Sequence, residues 1–109
     1  MRGMSLTIEM IRSLVSARQV VVSDHAYERL EESGIDPLEV LRSINAGAVI
    51  EDYPDAHKGP SALVLQIYAK GEPIHSVWGI QGGTTSPVVL VTAYRPDPSL
   101  WSADFRRRK

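Results

Sequence analysis

At 109 residues, with 43% hydrophobic and 23% charged side chains, the chain has the size and composition of one folded domain and excludes both disorder and a two-domain layout. The absence of cysteine excludes a disulfide framework and a thiolate metal site, so a cytoplasmic, reducing setting is expected. The formal charge of −1 is unevenly spread: residues 1–103 hold eight Lys and Arg against twelve Asp and Glu, and the end Arg106-Arg107-Arg108-Lys109 restores the balance.

The first half of the chain reads as helices. Leu6, Met10, Ile11, Leu14 and Val15 recur at helical spacing behind Ser5 as N-cap, and this helix fades near Arg18, before the β-branched run Val20-Val21-Val22. Ser23 or Asp24 caps a second helix through Glu32, closed by Gly34. Asp36-Pro37-Leu38-Glu39 supplies an N-cap, a proline at the first helical position and a capping-box glutamate. That third helix is expected to present Leu38, Leu41 and Ile44 on one face and to stop at Gly47.

After Gly47 the apolar period changes to two, and strands are predicted over 48–53, 63–69, 74–80 and 87–94. The short connections between the last three call for antiparallel neighbours. The expected architecture is therefore α+β, with N-terminal helices packed on one face of a twisted four-stranded antiparallel sheet, in a single domain over 1–109 with 1–4 and 106–109 as flexible ends. A two-residue Gly71-Glu72 turn would place Tyr68 opposite His75, and a longer loop over 81–86 would set His75 opposite Thr92. Tyr68, His75, Thr92 and Tyr94 would then share one face, with Ile74, Trp78 and Ile80 on the other as core. No apolar run approaches the length of a membrane span.

Chemistry-bearing residues cluster at three places. His25 lies in the first turn of the second helix, where free amides and the helix dipole favour an anion, and Arg29 follows one turn later. His75 lies mid-strand, and Tyr94-Arg95 closes the last strand. Imidazole exchanges a proton near neutrality and guanidinium suits phosphate, so these residues point to acid–base work on a phosphate ester. The basic end, Arg106, Arg107, Arg108 and Lys109, is a candidate phosphate-binding arm. No HxH or HExxH spacing supports a metal site, and the glycines of Gln81-Gly82-Gly83 lack a nucleotide-binding spacing. Neither a metal nor a cofactor is expected.

The ordered motifs His25-Ala26-x-x-Arg29, Gly34-Ile35, Gly47-Ala48-Val49-Ile50-Glu51-Asp52-Tyr53-Pro54, Gly59-Pro60-Ser61, Ile74-His75-Ser76-Val77 and Thr92-Ala93-Tyr94-Arg95-Pro96-Asp97, followed by Trp101 and the basic end, resemble a small prokaryotic family known as domain of unknown function 4258. The resemblance spans about residues 20–109. The family is similar to RelE-like toxins and to the wider barnase–EndoU–colicin–RelE group of ribonucleases. That likeness implies a RelE-like fold, metal-independent RNA cleavage and a cognate antitoxin partner. His25 or His75 would then act as base and the other as acid, with Arg29 and Arg95 neutralising phosphate and Tyr94 orienting or donating.

Each residue also has a plain structural role open to it. His25 suits a bond to a nearby carbonyl, His75 suits a satisfied sheet position, Arg29 suits an ion pair with Glu32 or Asp24, and Arg95 suits an anchor at the chain exit. Trp101 and Phe105 suit a hydrophobic clasp for the tail. On those roles the chain would be a non-catalytic protein- or RNA-binding module of the same fold.

Overall fold

The computed structural model describes residues 4–109. Helix α1 (Ile8–Ser16) starts at Thr7, whose hydroxyl accepts from the Met10 N–H at 3.2 Å. The cap is thus two residues later than the expected Ser5. Helix α2 (Asp24–Ser33) is capped by Ser23, whose hydroxyl accepts from Ala26 N–H at 3.0 Å, and it closes on Gly34 in the left-handed conformation, as its sequence signals indicate. Helix α3 (Pro37–Ser43) has Asp36 as N-cap and runs into a short 3-10 turn (Ile44–Ala46) before Gly47. Its buried side is Val40 with Ile44, while Leu38 is exposed, so the expected face is rotated.

The sheet has five strands in the order β1-β5-β4-β3-β2, comprising β1 (Val20–Val22), β2 (Ala48–Tyr53), β3 (Ser61–Tyr68), β4 (Glu72–Gly79) and β5 (Val88–Tyr94). It is mixed, not the expected four antiparallel strands. β1 pairs parallel with β5, with Val20 beside Val88. A three-residue strand whose partner lies at the far end of the chain gives no local pairing signal, which is why the run Val20-Val21-Val22 did not read as part of the sheet.

The helices share one face of this sheet, and the core there contains Ala26, Leu30, Val40, Ile44, Ala62, Val64, Ile74, Trp78, Val88 and Leu90. A polar chain crosses this core. The Trp78 indole N–H donates to Ser76 Oγ at 2.8 Å, Ser76 Oγ donates to Gln66 Oε1, and the Gln66 amide donates to the Val40 carbonyl at 2.8 Å and Ser43 Oγ at 2.9 Å. Each buried donor finds an acceptor, so these polar side chains fix the seating of α3 on the sheet rather than leaving a desolvated group unpaired.

Two irregularities set what lies on the other face. The β3–β4 connection is three residues (Ala69–Gly71), with Lys70 and Gly71 both left-handed, so Tyr68 pairs with Glu72 and His75 faces Leu65. The expected Tyr68–His75 pair is therefore absent, and Tyr68 packs against the helix-side core. On β5 a bulge at Val91 makes Trp78 face Leu90 while Val77 faces Thr92 and His75 faces Tyr94, in place of the expected His75–Thr92 pair. Thr92, Tyr94 and His75 do share a face, and Ile74, Trp78 and Ile80 are buried on the helix side as expected.

The end of the chain, where 106–109 is the expected flexible stretch, makes hydrogen bonds of its own. Trp101 and Arg108 form an antiparallel bridge, Ser102 N–H donates to the Arg107 carbonyl at 2.7 Å, and Lys109 N–H donates to the Leu100 carbonyl at 2.9 Å. Of the expected flexible start, 1–3 lie outside the described residues. Among the described residues no helix is long and apolar enough to cross a membrane.

Candidate functional site

Side chains alternate across a strand, so with Ile74 and Ser76 on the helix side His75 points to the helix-free face. There it is fully buried beneath the C-terminal turn. Its Nε2 lies 2.8 Å from the Phe105 carbonyl oxygen, and because a carbonyl only accepts, Nε2 carries the proton. The tautomer leaves Nδ1 as an acceptor, and that atom is buried with no partner. Burial lowers the His75 pKa below its ordinary value; the bond to Phe105 and the nearby Glu51 carboxylate oppose this, and Arg108 adds to it. The imidazole is thus held neutral at pH 7.

Aromatic rings surround it. Trp101 stands edge-on with ring centroids 4.3 Å apart at 88°, and Tyr94 stands at 5.6 Å and 72°. Burial raises the Tyr94 pKa, so its hydroxyl keeps its proton.

Glu51 joins this face through a second bulge. β2 pairs with β3 as Val49 with Val64 and then as Glu51 with Leu63, leaving Ile50 as the extra residue. Had Ile50 paired in regular register, Glu51 would fall opposite Ala62, which is core. The bulge turns the carboxylate to the face of Leu63, Leu65 and His75. The bulge on β5 does the same for Tyr94, which regular pairing would place opposite buried Ile74.

Arg108 grips Glu51 with Nη2 3.0 Å from Oε1 and Nε 3.2 Å from Oε2, and its guanidinium lies 4.8 Å from the Trp101 ring centroid. The Tyr53 hydroxyl donates to the same carboxylate. The hydrogen bond with Arg108 is the main cause that lowers the Glu51 pKa, against burial, with Tyr53 adding to it. Burial and the bond to Glu51 raise the Tyr53 pKa.

The sequence-predicted set is divided by this architecture. His75 and Tyr94 meet, and Arg108 of the basic end joins them. His25 is exposed on α2, whose Ala26 and Leu30 pack on the opposite face of the sheet, so the two imidazoles belong to different layers and do not share a hollow. Arg29 is on the same helix and lies 3.8 Å from Glu32, an exposed ion pair. Arg95 is an anchor at the chain exit, paired with Glu72 and donating to the Ser33 carbonyl at 3.1 Å. Arg106, Arg107 and Lys109 are exposed on the tail. Among the described residues no three His, Asp or Glu side chains converge as a metal-binding group.

Glu51 and Tyr53 were missed as site residues. Their one sequence signal is their place in the motif Ile50-Glu51-Asp52-Tyr53-Pro54, which reads as an ordinary strand with a polar end. On the same face, beside Val77, an open apolar groove of about 570 Å³ is lined by Pro60, Ser61, Val77, Gly79, Val89 and Val91.

A family model described as Domain of unknown function (DUF4258) matches residues 22–95. That span holds Glu51, Tyr53, His75 and Tyr94, and it ends before the segment that covers them; it is shorter than the 20–109 expected. No curated protein and no solved structure matches the chain.

Proposed function

The chain belongs to the DUF4258 family, and from that premise we propose that it is a toxin-like, metal-independent endoribonuclease whose working groups are Glu51, His75 and Tyr94. The observation that carries this reading is the pair of bulges, which interrupt two strand ladders and bring a carboxylate and a phenol to the face of a buried imidazole. Bulges re-aim side chains beside active sites, and a carboxylate–imidazole pair is a sufficient acid–base couple for RNA cleavage.

In the proposed reaction Glu51 takes the proton of the ribose 2′-OH, and the 2′-oxygen attacks phosphorus. His75, as imidazolium, gives its proton to the departing 5′-oxygen, leaving a 2′,3′-cyclic phosphate and a free 5′-OH. Tyr94 donates to the phosphoryl oxygen as charge builds there. The exposed cations Arg106, Arg107 and Lys109 supply sequence-independent attraction for the RNA backbone, with no demand on the acidic body. The likeness of this family to RelE-like toxins supports the reaction class and a RelE-like fold, and a cognate antitoxin protein belongs to the same reading.

The test is cleavage of RNA by purified protein with and without EDTA. Cyclic-phosphate ends that resist EDTA, persist in His25→Ala and vanish in Glu51→Gln and His75→Gln are the expected result. Cleavage that needs the metal, or that survives both β-face substitutions, overturns the reading. So does an absence of cleavage by both the wild type and a variant whose C-terminal segment is loosened.

A non-catalytic binding module is the second reading, favoured by the complete burial of His75. Expression separates the two: a toxic nuclease arrests growth and Glu51→Gln relieves the arrest, whereas a binding module leaves growth unchanged.

A further inference from the structure

We propose that residues 101–109 form a self-inhibitory cover, closed over Glu51 and His75 in the resting protein and swung clear when RNA enters. The inference rests on the nuclease reading and names the regulation of that site.

Three observations converge on it. The first is position: among the described residues, Trp101, Phe105 and Arg108 of this segment lie over His75 and Glu51. The Phe105 carbonyl occupies Nε2, the Trp101 ring lies against the imidazole, and Arg108 holds both oxygens of Glu51. The atoms that would receive and donate the proton are thus both engaged by the chain's own end.

The second is how lightly the segment is tied. Most of its hydrogen bonds are internal: Phe105 N–H to the Ser102 carbonyl at 2.9 Å, Ser102 Oγ to Asp104 Oδ1 at 2.7 Å, and Arg106 N–H to the same carboxylate at 3.1 Å. Its polar ties to the sheet include the imidazole bond and the Arg108 contacts with Glu51 and Tyr53, and its apolar ties include buried Trp101. A turn that satisfies its own backbone keeps those bonds when it moves away, so opening breaks few contacts. The preceding chain is tied to the fold at Arg95, which pairs with Glu72 and donates to the Ser33 carbonyl, and the proposed motion begins after it.

The third is the chemical state of the site when closed. His75 Nδ1 is buried with no partner, an unmet acceptor that water or a ligand would satisfy once the turn lifts. The closed turn also holds each catalytic group in the wrong condition, since burial keeps the imidazole neutral and Arg108 weakens the carboxylate as a base. Opening removes both influences at once.

The experiment uses the full chain and the probe diethyl pyrocarbonate, with modification of each histidine followed by mass spectrometry at pH 7. Exposed His25 and His57 serve as internal references. In the wild type His75 should react far more slowly than either. Trp101→Ala should speed the His75 reaction roughly tenfold or more while the references stay constant, because removing a buried indole raises the open population. Phe105→Pro is the second variant. Phe105 has φ 61, which proline cannot adopt, so the turn that presents the carbonyl is broken without touching the ring contacts.

Faster His75 modification in either folded variant, with the references unchanged, supports a movable cover. RNA cleavage rising in parallel supports its inhibitory role, whereas rapid modification with no cleavage defeats the nuclease reading and not the cover. His75 as reactive in the wild type as His25, or unreactive in both folded variants, overturns the cover itself.

Discussion

His75 and Ser76 are consecutive, yet they serve opposite sides of the sheet. The imidazole lies under the C-terminal turn, and the hydroxyl sits in the polar chain that seats α3. Because one strand carries both, a substitution at either position reports on one layer with little direct effect on the other.

The helix-side layer gives the sharpest stability test. Ser76→Ala strands the Gln66 Oε1 acceptor and the Trp78 indole donor, both buried. Each unsatisfied group costs on the order of 1–3 kcal/mol, so a loss of roughly 2–6 kcal/mol is expected in urea unfolding. A loss below about 0.5 kcal/mol, within the ordinary range for surface changes, would mean that the chain of donors and acceptors is not formed.

Acid should weaken the closed, folded state. His75 has a depressed pKa when folded, so the unfolded chain binds more protons as pH falls below about 6.5. Its contribution is complete above that pH and is lost on descent toward the folded-state pKa. The other titratable or charged groups facing it are Glu51 on β2, Tyr94 on β5 and Arg108 on the tail; Tyr94 and Arg108 keep their charge states throughout this range, and Glu51 acts in the same direction but at lower pH. Urea midpoints at pH 7.5, 6.5 and 5.5 should fall for the wild type and change less for His75→Gln. Parallel profiles would contradict the buried, neutral imidazole.

The Glu51–Arg108 pair should be weak. Their side chains are 27% and 64% exposed, and exposed pairs couple by roughly 0.2–1 kcal/mol. A double-mutant cycle with Glu51→Gln and Arg108→Gln should return a value in that range, falling further in high salt. A coupling above about 2 kcal/mol would make the tail a rigid part of the fold and argue against its release.

Gly59 should tolerate no side chain. At φ 127 an added methyl group would collide with the Ile80 carbonyl and the Gly82 amide, both backbone. Gly71, at φ 76, has open space instead. Gly71→Ala therefore bears only the conformational cost of about 1 kcal/mol, and Gly59→Ala must exceed it. Equal thermal shifts in the two variants would show that the loop around Gly59 can shift freely.

The helical half was legible because its signals are local. Ser23, Gly34, Asp36 and Pro37 act within four residues of themselves, and each end of α2 and the start of α3 fell where those residues indicate. The strand positions were nearly as clear, since alternation is also local. Register was not. Lys70 takes a left-handed conformation that the run Lys70-Gly71-Glu72-Pro73 does not advertise, and the two bulges at Ile50 and Val91 leave no mark on an apolar pattern. Those three details decide which polar side chains meet on the β face, so Glu51 could not be seen as a neighbour of His75, while His25 lies apart from His75 because α2 packs on the opposite face. The suggested clasp by Trp101 was close: the indole is buried, edge-on to the imidazole and beneath the Arg108 guanidinium.

The parallel edge has a consequence for synthesis. β1 is made early, but its partner is β5, so Val20 waits for Val88 to emerge. While the nascent chain still lacks β5, the N-terminal third can form helices, but β1 has no strand to pair with. Completion of the sheet therefore waits until residues 88–94 have been made, and substitutions in β5 should penalise yield in cells more than substitutions in the earlier-made helices.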